Sequence, residues 1–263
     1  MSAALQAPAP TVEKLSHRPR SAARRLIDTE IKLMVRDPMT LTFVFAFPIV
    51  TMLIIGGSFG HSPDDAFGGV DPSHWYVASY FTVVIGATGL VMLPVHIASY
   101  RERGVLRRFA VSGFPRWSFA IAQLVVGLAT IALASVLLLA VAAPVYGVPP
   151  VHDWARVVAG VVAGSVAFVS IGVLLGTVLP SARSAQSIGL LLFFPSFLLG
   201  VGGPPPQVLG TALKNISDVL PLALVTNSVR EPWLGIGNAT GSLITVVVIA
   251  VAALTLAARR TSL

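Results

Sequence analysis

The 263-residue sequence contains no cysteine. That excludes disulfides, thiolate metal sites and a cysteine nucleophile. Charge is scarce: Asp, Glu, Lys and Arg together supply 11% of the residues, where a soluble domain carries about 25%. So small a complement cannot coat a water-facing surface, and much of the surface must face lipid. Lysine is rarer still. The three lysines, Lys14, Lys32 and Lys214, follow no Gly-rich loop, so the Walker A cradle for nucleotide phosphates is missing and the chain should not hydrolyse ATP by itself. No His-Glu-x-x-His and no G-x-S-x-G elbow is present, so no catalytic, cofactor-binding or metal-ligating residue is assigned.

What the sequence does contain is apolar length. Hydrophobic residues make up 55% of the chain, and the mean hydropathy is +0.83. A helix needs about 20 apolar residues to cross a bilayer. Six runs qualify, at Leu41–Phe59, Tyr76–Tyr100, Phe119–Ala143, Val157–Leu179, Ser187–Gly203 and Thr240–Ala258. None contains Asp, Glu, Lys or Arg; a central Arg would cost about 2.5–3.5 kcal/mol on insertion scales. The predicted fold class is an all-α integral membrane protein of six transmembrane helices. The stretch before the first run is polar and has no apolar core of the signal-peptide kind, so insertion is expected to begin with the first span.

Orientation follows from the basic residues. With the N-terminus inside, the inner segments hold fifteen of the eighteen Lys and Arg residues; the outer ones hold only Arg156, Lys214 and Arg230. The positive-inside rule therefore puts both termini in the cytoplasm. That topology also accounts for the net charge of +7 without nucleic acid as a partner.

Residues 1–20 are expected to form a disordered cytoplasmic tail, and residues 21–38 an amphipathic helix lying in the interface. Leu26, Ile27, Ile31 and Met34 share one face at helical period, with Glu30 set among them. Pro38 pushes Asp37 out of the helical region and ends this helix before the first span. Residues 39–263 form the six-span membrane domain. Within it, the loop at 101–116 is short and very basic; Val105, Leu106 and Phe109 can form an apolar ridge for docking a soluble partner. In the 204–232 segment, Leu209, Leu213 and Ile216 recur at helical spacing until Pro221 breaks the pattern. Two short outer helices, each too short to cross, are predicted there, dipping into the outer leaflet. Pro195 is expected to interrupt the fifth span. Gly160, Gly164, Gly172 and Gly176, spaced in fours, make a smooth face for close internal helix packing. Gln123 and Gln186 are expected to form interhelical hydrogen bonds, and His96 to be structural.

Several of these stretches resemble one family, the permease subunits of type-2 ABC exporters, from about Arg24 to the end of the chain. MVRDPMTLTFVFAFP resembles the family's interfacial helix, its Arg-Asp-Pro exit and its Pro-bearing first span. RERGVLRRFAVSGFPRW resembles its Glu-Arg-Gly coupling segment, matched here by Glu102, Arg103 and Gly104; Val105 stands where Thr is often found. SDVLPLALVTNSVR resembles the paired outer re-entrant helices before the last span. The sequence looks nearest to the actinobacterial drug-resistance permeases. The resemblance implies a half-transporter in the bacterial plasma membrane. Two permease chains pair, as a homodimer or heterodimer, each docking a separate ABC ATPase subunit that holds the ATP and Mg. The motion would pass through Glu102–Phe109 and expel a hydrophobic or amphipathic drug or lipid-like substrate; this chain would bind no cofactor itself. A polysaccharide or glycolipid export permease is the alternative within the family. A membrane-embedded enzyme is the alternative outside it, for which only His61, Asp64, Asp65, Asp71 and His74 in the first outer loop offer polar groups at the membrane face.

Overall fold

The computed structural model describes Lys32, residues 36–105 and residues 116–261. The tail, most of the expected interfacial helix and the greater part of the 101–116 loop lie outside these.

Six helices are long and apolar enough to cross a membrane. We number them with two shorter ones: α1 (Pro38–Gly56), α2 (Pro72–Glu102), α3 (Arg116–Tyr146), α4 (Trp154–Val178), α5 (Ala182–Gly200), α6 (Thr211–Val219), α7 (Pro221–Leu234) and α8 (Thr240–Thr261). Among the described residues there is no strand, only an isolated bridge between Asp64 and Val70. Thus the all-α, six-span expectation holds. The helices that cross are α1 to α5 and α8. Their basic end carries Arg36, Arg101, Arg103, Arg183 and Arg259; the opposite end carries the longer connections and α6 and α7.

The helix starts are written in local chemistry. An Asp-Pro pair opens both α1 and α2, with Asp at N-cap and Pro at N1, where the missing amide costs nothing. Asp37 accepts from the amides of Met39 (3.2 Å) and Thr40 (3.3 Å) and from Thr40 Oγ1 (2.6 Å). Asp71 accepts from the amide and hydroxyl of Ser73 at 2.8 and 2.7 Å. Asp153 caps α4 through the Arg156 amide at 3.0 Å. A reciprocal box between Ser181 and Ser184 opens α5.

Two prolines within helices reshape them instead. A π-helical turn at Leu41–Ala46 runs up to Phe47-Pro48, and another at Thr88–Met92 runs up to Leu93-Pro94. Proline has no amide to donate and its ring crowds the carbonyl one turn back. A wider turn relieves that crowding and exposes backbone oxygen to neighbours. Pro195, by contrast, does not interrupt the fifth span: α5 is one helix from Ala182 to Gly200 with Pro195 inside it, and the span ends before the Pro204–Pro206 run.

The core is built around α2. In its most apolar window 83% is buried, against 22% in α8, so α2 is the central helix and α8 is largely peripheral. Tyr76, Tyr80, Ile85, Leu93 and Ile97 of α2 are fully buried, together with Met52, Leu138, Phe168, Phe193 and Leu222 from five other helices. Side chains such as Ile54, Val136, Leu191 and Val248 are well exposed, as an outer surface against lipid requires.

The glycine face of α4 packs internally, as its spacing predicts. A Cβ on Gly160 would lie 2.8 Å from the Ser228 carbonyl and one on Gly164 2.5 Å from Val225, both on α7. One on Gly172 would lie 2.5 Å from the Gly89 carbonyl and one on Gly176 2.6 Å from Ile97, both on α2. No side chain fits at any of these positions, so the backbones of α4, α2 and α7 meet directly.

Candidate functional site

At the basic end, α2 finishes in the Glu-Arg-Gly stretch. Glu102 is the last residue of the helix, and Arg103 and Gly104 form its terminating turn. Gly104 adopts φ +67°, its amide bonding back to the Arg101 carbonyl at 3.1 Å while that of Arg103 bonds to Ser99 at 3.0 Å. This is a left-handed glycine stop, so the three residues are a helix end rather than free loop. Glu102 and Arg103 are exposed, and Val105 is half-buried. Leu106 and Phe109 lie outside the described residues, as do Leu26, Ile27, Glu30, Ile31 and Met34.

One side chain holds this helix end. The Arg101 guanidinium donates to the carbonyls of Leu179 (2.9 Å) and Gly176 (3.3 Å), the free carbonyls at the end of α4. Further back, His96 Nδ1 lies 3.9 Å from Asp37 Oδ2, where α2 passes the start of α1. His96 thus stands at a helix-to-helix contact. Arg101 went unrecognised in the sequence, where it is one more inner-side arginine.

At the opposite end, the 204–232 segment holds two short helices that meet at Leu220-Pro221. A 3-10 turn at Pro206–Val208 leads to α6, and Pro221 sits at N1 of α7. The two helices have different surroundings. Leu213 and Ile216 of α6 are 46% and 48% exposed, with Leu209 half-buried just before them. The helix is pinned by Ser217 Oγ donating to the Leu199 carbonyl at 2.8 Å. By contrast α7 is buried in the bundle, packing against α2, α4, α5 and α8. Thr82 of α2 and Thr226 of α7 share a hydrogen bond of 2.7 Å. Trp233 Nε1 donates to the Pro149 carbonyl at 3.0 Å, and the amides of His152 and Asp153 donate to the carbonyls of Trp233 and Pro232, each at 3.1 Å. Gly235, at φ +71°, closes α7 with His152 against it.

One charged side chain went into this core. Arg230, which the sequence places among outer loop residues, is 3% exposed. Its guanidinium carbon stands 3.8 Å above the Trp75 ring. One amine donates to Ser79 Oγ at 3.2 Å and the other to Asn227 Oδ1 at 2.7 Å. Beyond Trp75 the aromatic contacts continue through Phe67, Tyr76, Tyr80 and Phe197 to Phe47, ring to ring at 5.1–6.2 Å. Arg230 also lines a cleft of about 380 Å³ with Trp75, Gln207, Asp218, Asn227 and Glu231.

Three of the polar residues between α1 and the first turn of α2 make local contacts. Asp64 caps a 3-10 turn through the Ala66 amide at 2.8 Å, Asp71 caps α2, and His74 Nε2 meets the Tyr146 carbonyl at 3.2 Å. Among the described residues no three His, Asp or Glu side chains gather to hold a metal ion. Of the two glutamines expected to bond between helices, Gln186 is exposed, and Gln123, 1% exposed, has no partner for Nε2 among the described residues.

Six helices long and apolar enough to cross a membrane, packed around a central α2 whose exposed terminus lies at the basic end, define a polytopic membrane protein. Residues 22–233 match the family described as ABC-2 type transporter. The chain belongs to that family, and is a permease subunit of an ABC transporter, a membrane component that works with an ABC ATPase subunit. A search among curated proteins finds none that matches.

Proposed function

We propose that this chain is the permease half of an ATP-driven exporter, pairing with a second permease chain and docking an ATPase at its basic end. The basic end is then cytoplasmic, on the fifteen-to-three distribution of Lys and Arg, and the membrane is the bacterial plasma membrane. ATP and Mg stay on the partner. Force enters at Glu102, Arg103, Gly104 and Val105 and continues into Leu106 and Phe109, with the 21–38 segment alongside. The cargo is a hydrophobic or amphipathic molecule, drug or lipid-like, moved outward from the cytoplasm or inner leaflet.

The observation that carries the reading is the Arg101 clamp. A coupling element must transmit displacement rather than absorb it. The Glu-Arg-Gly turn is the terminus of the most buried helix, and Arg101 ties it to the end of α4. A push on Glu102 therefore moves α2 and α4 together, and α7 with them through the glycine face of α4. No charged side chain interrupts the six apolar segments, which fits an energy source on another subunit.

Co-purification tests this. The chain is co-expressed with the ATPase encoded beside it, captured by its own tag, and ATP hydrolysis is measured. An ATPase is expected to co-purify, and a Glu102→Ala/Phe109→Ala double variant to lose binding or coupling. Absence of any ATPase under all conditions would overturn the coupling assignment.

A further inference from the structure

Among the described residues Arg230 is the one charged side chain that is buried. Burying a guanidinium without an anion is costly. Its direct partners are neutral, a serine hydroxyl, an asparagine oxygen and the Trp75 face, and Glu231 acts on it only from a distance. The ring supplies about 0.5–2 kcal/mol, well short of a buried ion's desolvation. Among the described residues no carboxylate comes within 4.0 Å of it, and Nε has no hydrogen-bond partner. Yet Arg230 lines the cleft, whose volume of about 380 Å³ is in the range of small-ligand sites.

Two carboxylates, Asp218 and Glu231, line the same cleft. A simple anion on Arg230 would be repelled by them, and a simple cation on them would leave Arg230 uncompensated. A molecule that carries both charges answers all three groups. The neighbouring surface is apolar: Leu213, Ile216 and Val219 of α6, the helix that carries Asp218, are 46%, 48% and 73% exposed.

We propose that this cleft binds the phosphate–ammonium headgroup of a zwitterionic amphiphile, its phosphate on Arg230 and its ammonium toward Asp218 and Glu231. The phosphate would take charge-assisted hydrogen bonds from the guanidinium, and the acyl chains would lie along α6. The site is at the end opposite the coupling turn, so it is filled from the far leaflet or from solution there.

The full chain, purified in mild detergent and delipidated, is titrated by native mass spectrometry. The probes are short-chain phosphatidylethanolamine, short-chain phosphatidylglycerol and free phosphoethanolamine. Phosphatidylethanolamine is expected to bind about tenfold tighter than phosphatidylglycerol, a difference of about 1.4 kcal/mol. Arg230→Gln should abolish its binding. Since that change can also disturb folding, the deciding variant is Asp218→Asn/Glu231→Gln, which leaves Arg230 in place and should reverse or erase the preference. Competition by free phosphoethanolamine would assign the site to the headgroup from either source. Binding of the lipid without such competition would assign it to the leaflet; both outcomes support the proposal. Equal binding of the two lipids, a preference that survives the double variant, or no binding of phosphatidylethanolamine would overturn it. No ATPase is needed, so failure here leaves the proposed export role standing.

Discussion

The Leu90 carbonyl of α2 lies against Gly189 of α5, so closely that a Cβ at residue 189 would overlap the oxygen. Pro94 stands four residues after Leu90 and has no amide to give it. The same arrangement recurs where Pro232 follows Ser228 by four and the Ser228 carbonyl faces Gly160. Proline frees a carbonyl, and a glycine on the next helix closes over it, an approach that Cα–H···O contacts favour.

Gly189→Ala should therefore destabilise the protein by about 1–3 kcal/mol, the usual range for overpacking a core. Gly241→Ala is the control: nothing lies within 4 Å of a Cβ there, and the change should be neutral or raise stability by up to about 1 kcal/mol. Thermal unfolding in detergent separates the two. Equal behaviour would show that α2 and α5 do not meet at this point.

Arg101→Ala should release the end of α4 from the end of α2. The side chain is exposed, so the stability loss is expected to stay near 1 kcal/mol. The coupling loss should be larger, seen as ATP hydrolysis that no longer depends on the permease. Arg101→Lys keeps a charge, but its flexible ammonium lacks the planar, pre-organised group that holds Nη1 between the two carbonyls, and it should fall between.

For the Thr82–Thr226 contact a double-mutant cycle to valine is the measurement. Each hydroxyl also has a carbonyl of its own helix within reach, Ser79 for Thr82 and Leu222 for Thr226. The coupling energy should accordingly be modest, about 0.6 kcal/mol, as for polar pairs between membrane helices. A value near zero would mean that α7 is held to α2 by packing alone.

Asp153 gives a pH dependence with a definite sign. The Arg156 backbone amide, and then its guanidinium, hold the Asp153 carboxyl below its ordinary value of 3.8. A depressed value means stability present above the ordinary value and lost as pH falls through the folded one. Asp153→Asn should therefore differ from wild type at neutral pH and converge with it in acid. The effect is small for so exposed a group, and is read as a shift in unfolding midpoint between pH 6 and pH 3.

Much of the fold was legible in the sequence, because a bilayer imposes one-dimensional rules. Apolar length gives the spans, although the Asp-Pro pairs start α1 and α2 three and four residues ahead of the apolar runs at Leu41 and Tyr76. Glycines four apart predict a packing face on α4, and Pro221 separates two short helices. What the sequence left open involved choices of partner. Nothing in Pro195 and Pro94 themselves says that the first leaves a continuous α-helix and the second follows a π turn. Nothing in the spacing of Leu213 and Ile216 distinguishes the exposed α6 from the buried α7.

Arg230 shows the division most sharply. As a residue in a short segment after the fifth span it counts only as an outer-side charge. Its environment depends on Trp75 and Ser79, more than 150 positions away, and on α7 folding back among α2, α4 and α8. The sequence by itself determined that the chain has six segments apolar and long enough to cross a membrane and which connections are basic, since hydropathy and charge act locally along the chain. Tertiary structure alone decided which helix is central, which carbonyls meet glycine and which charge is buried, since those depend on neighbours that only packing brings together.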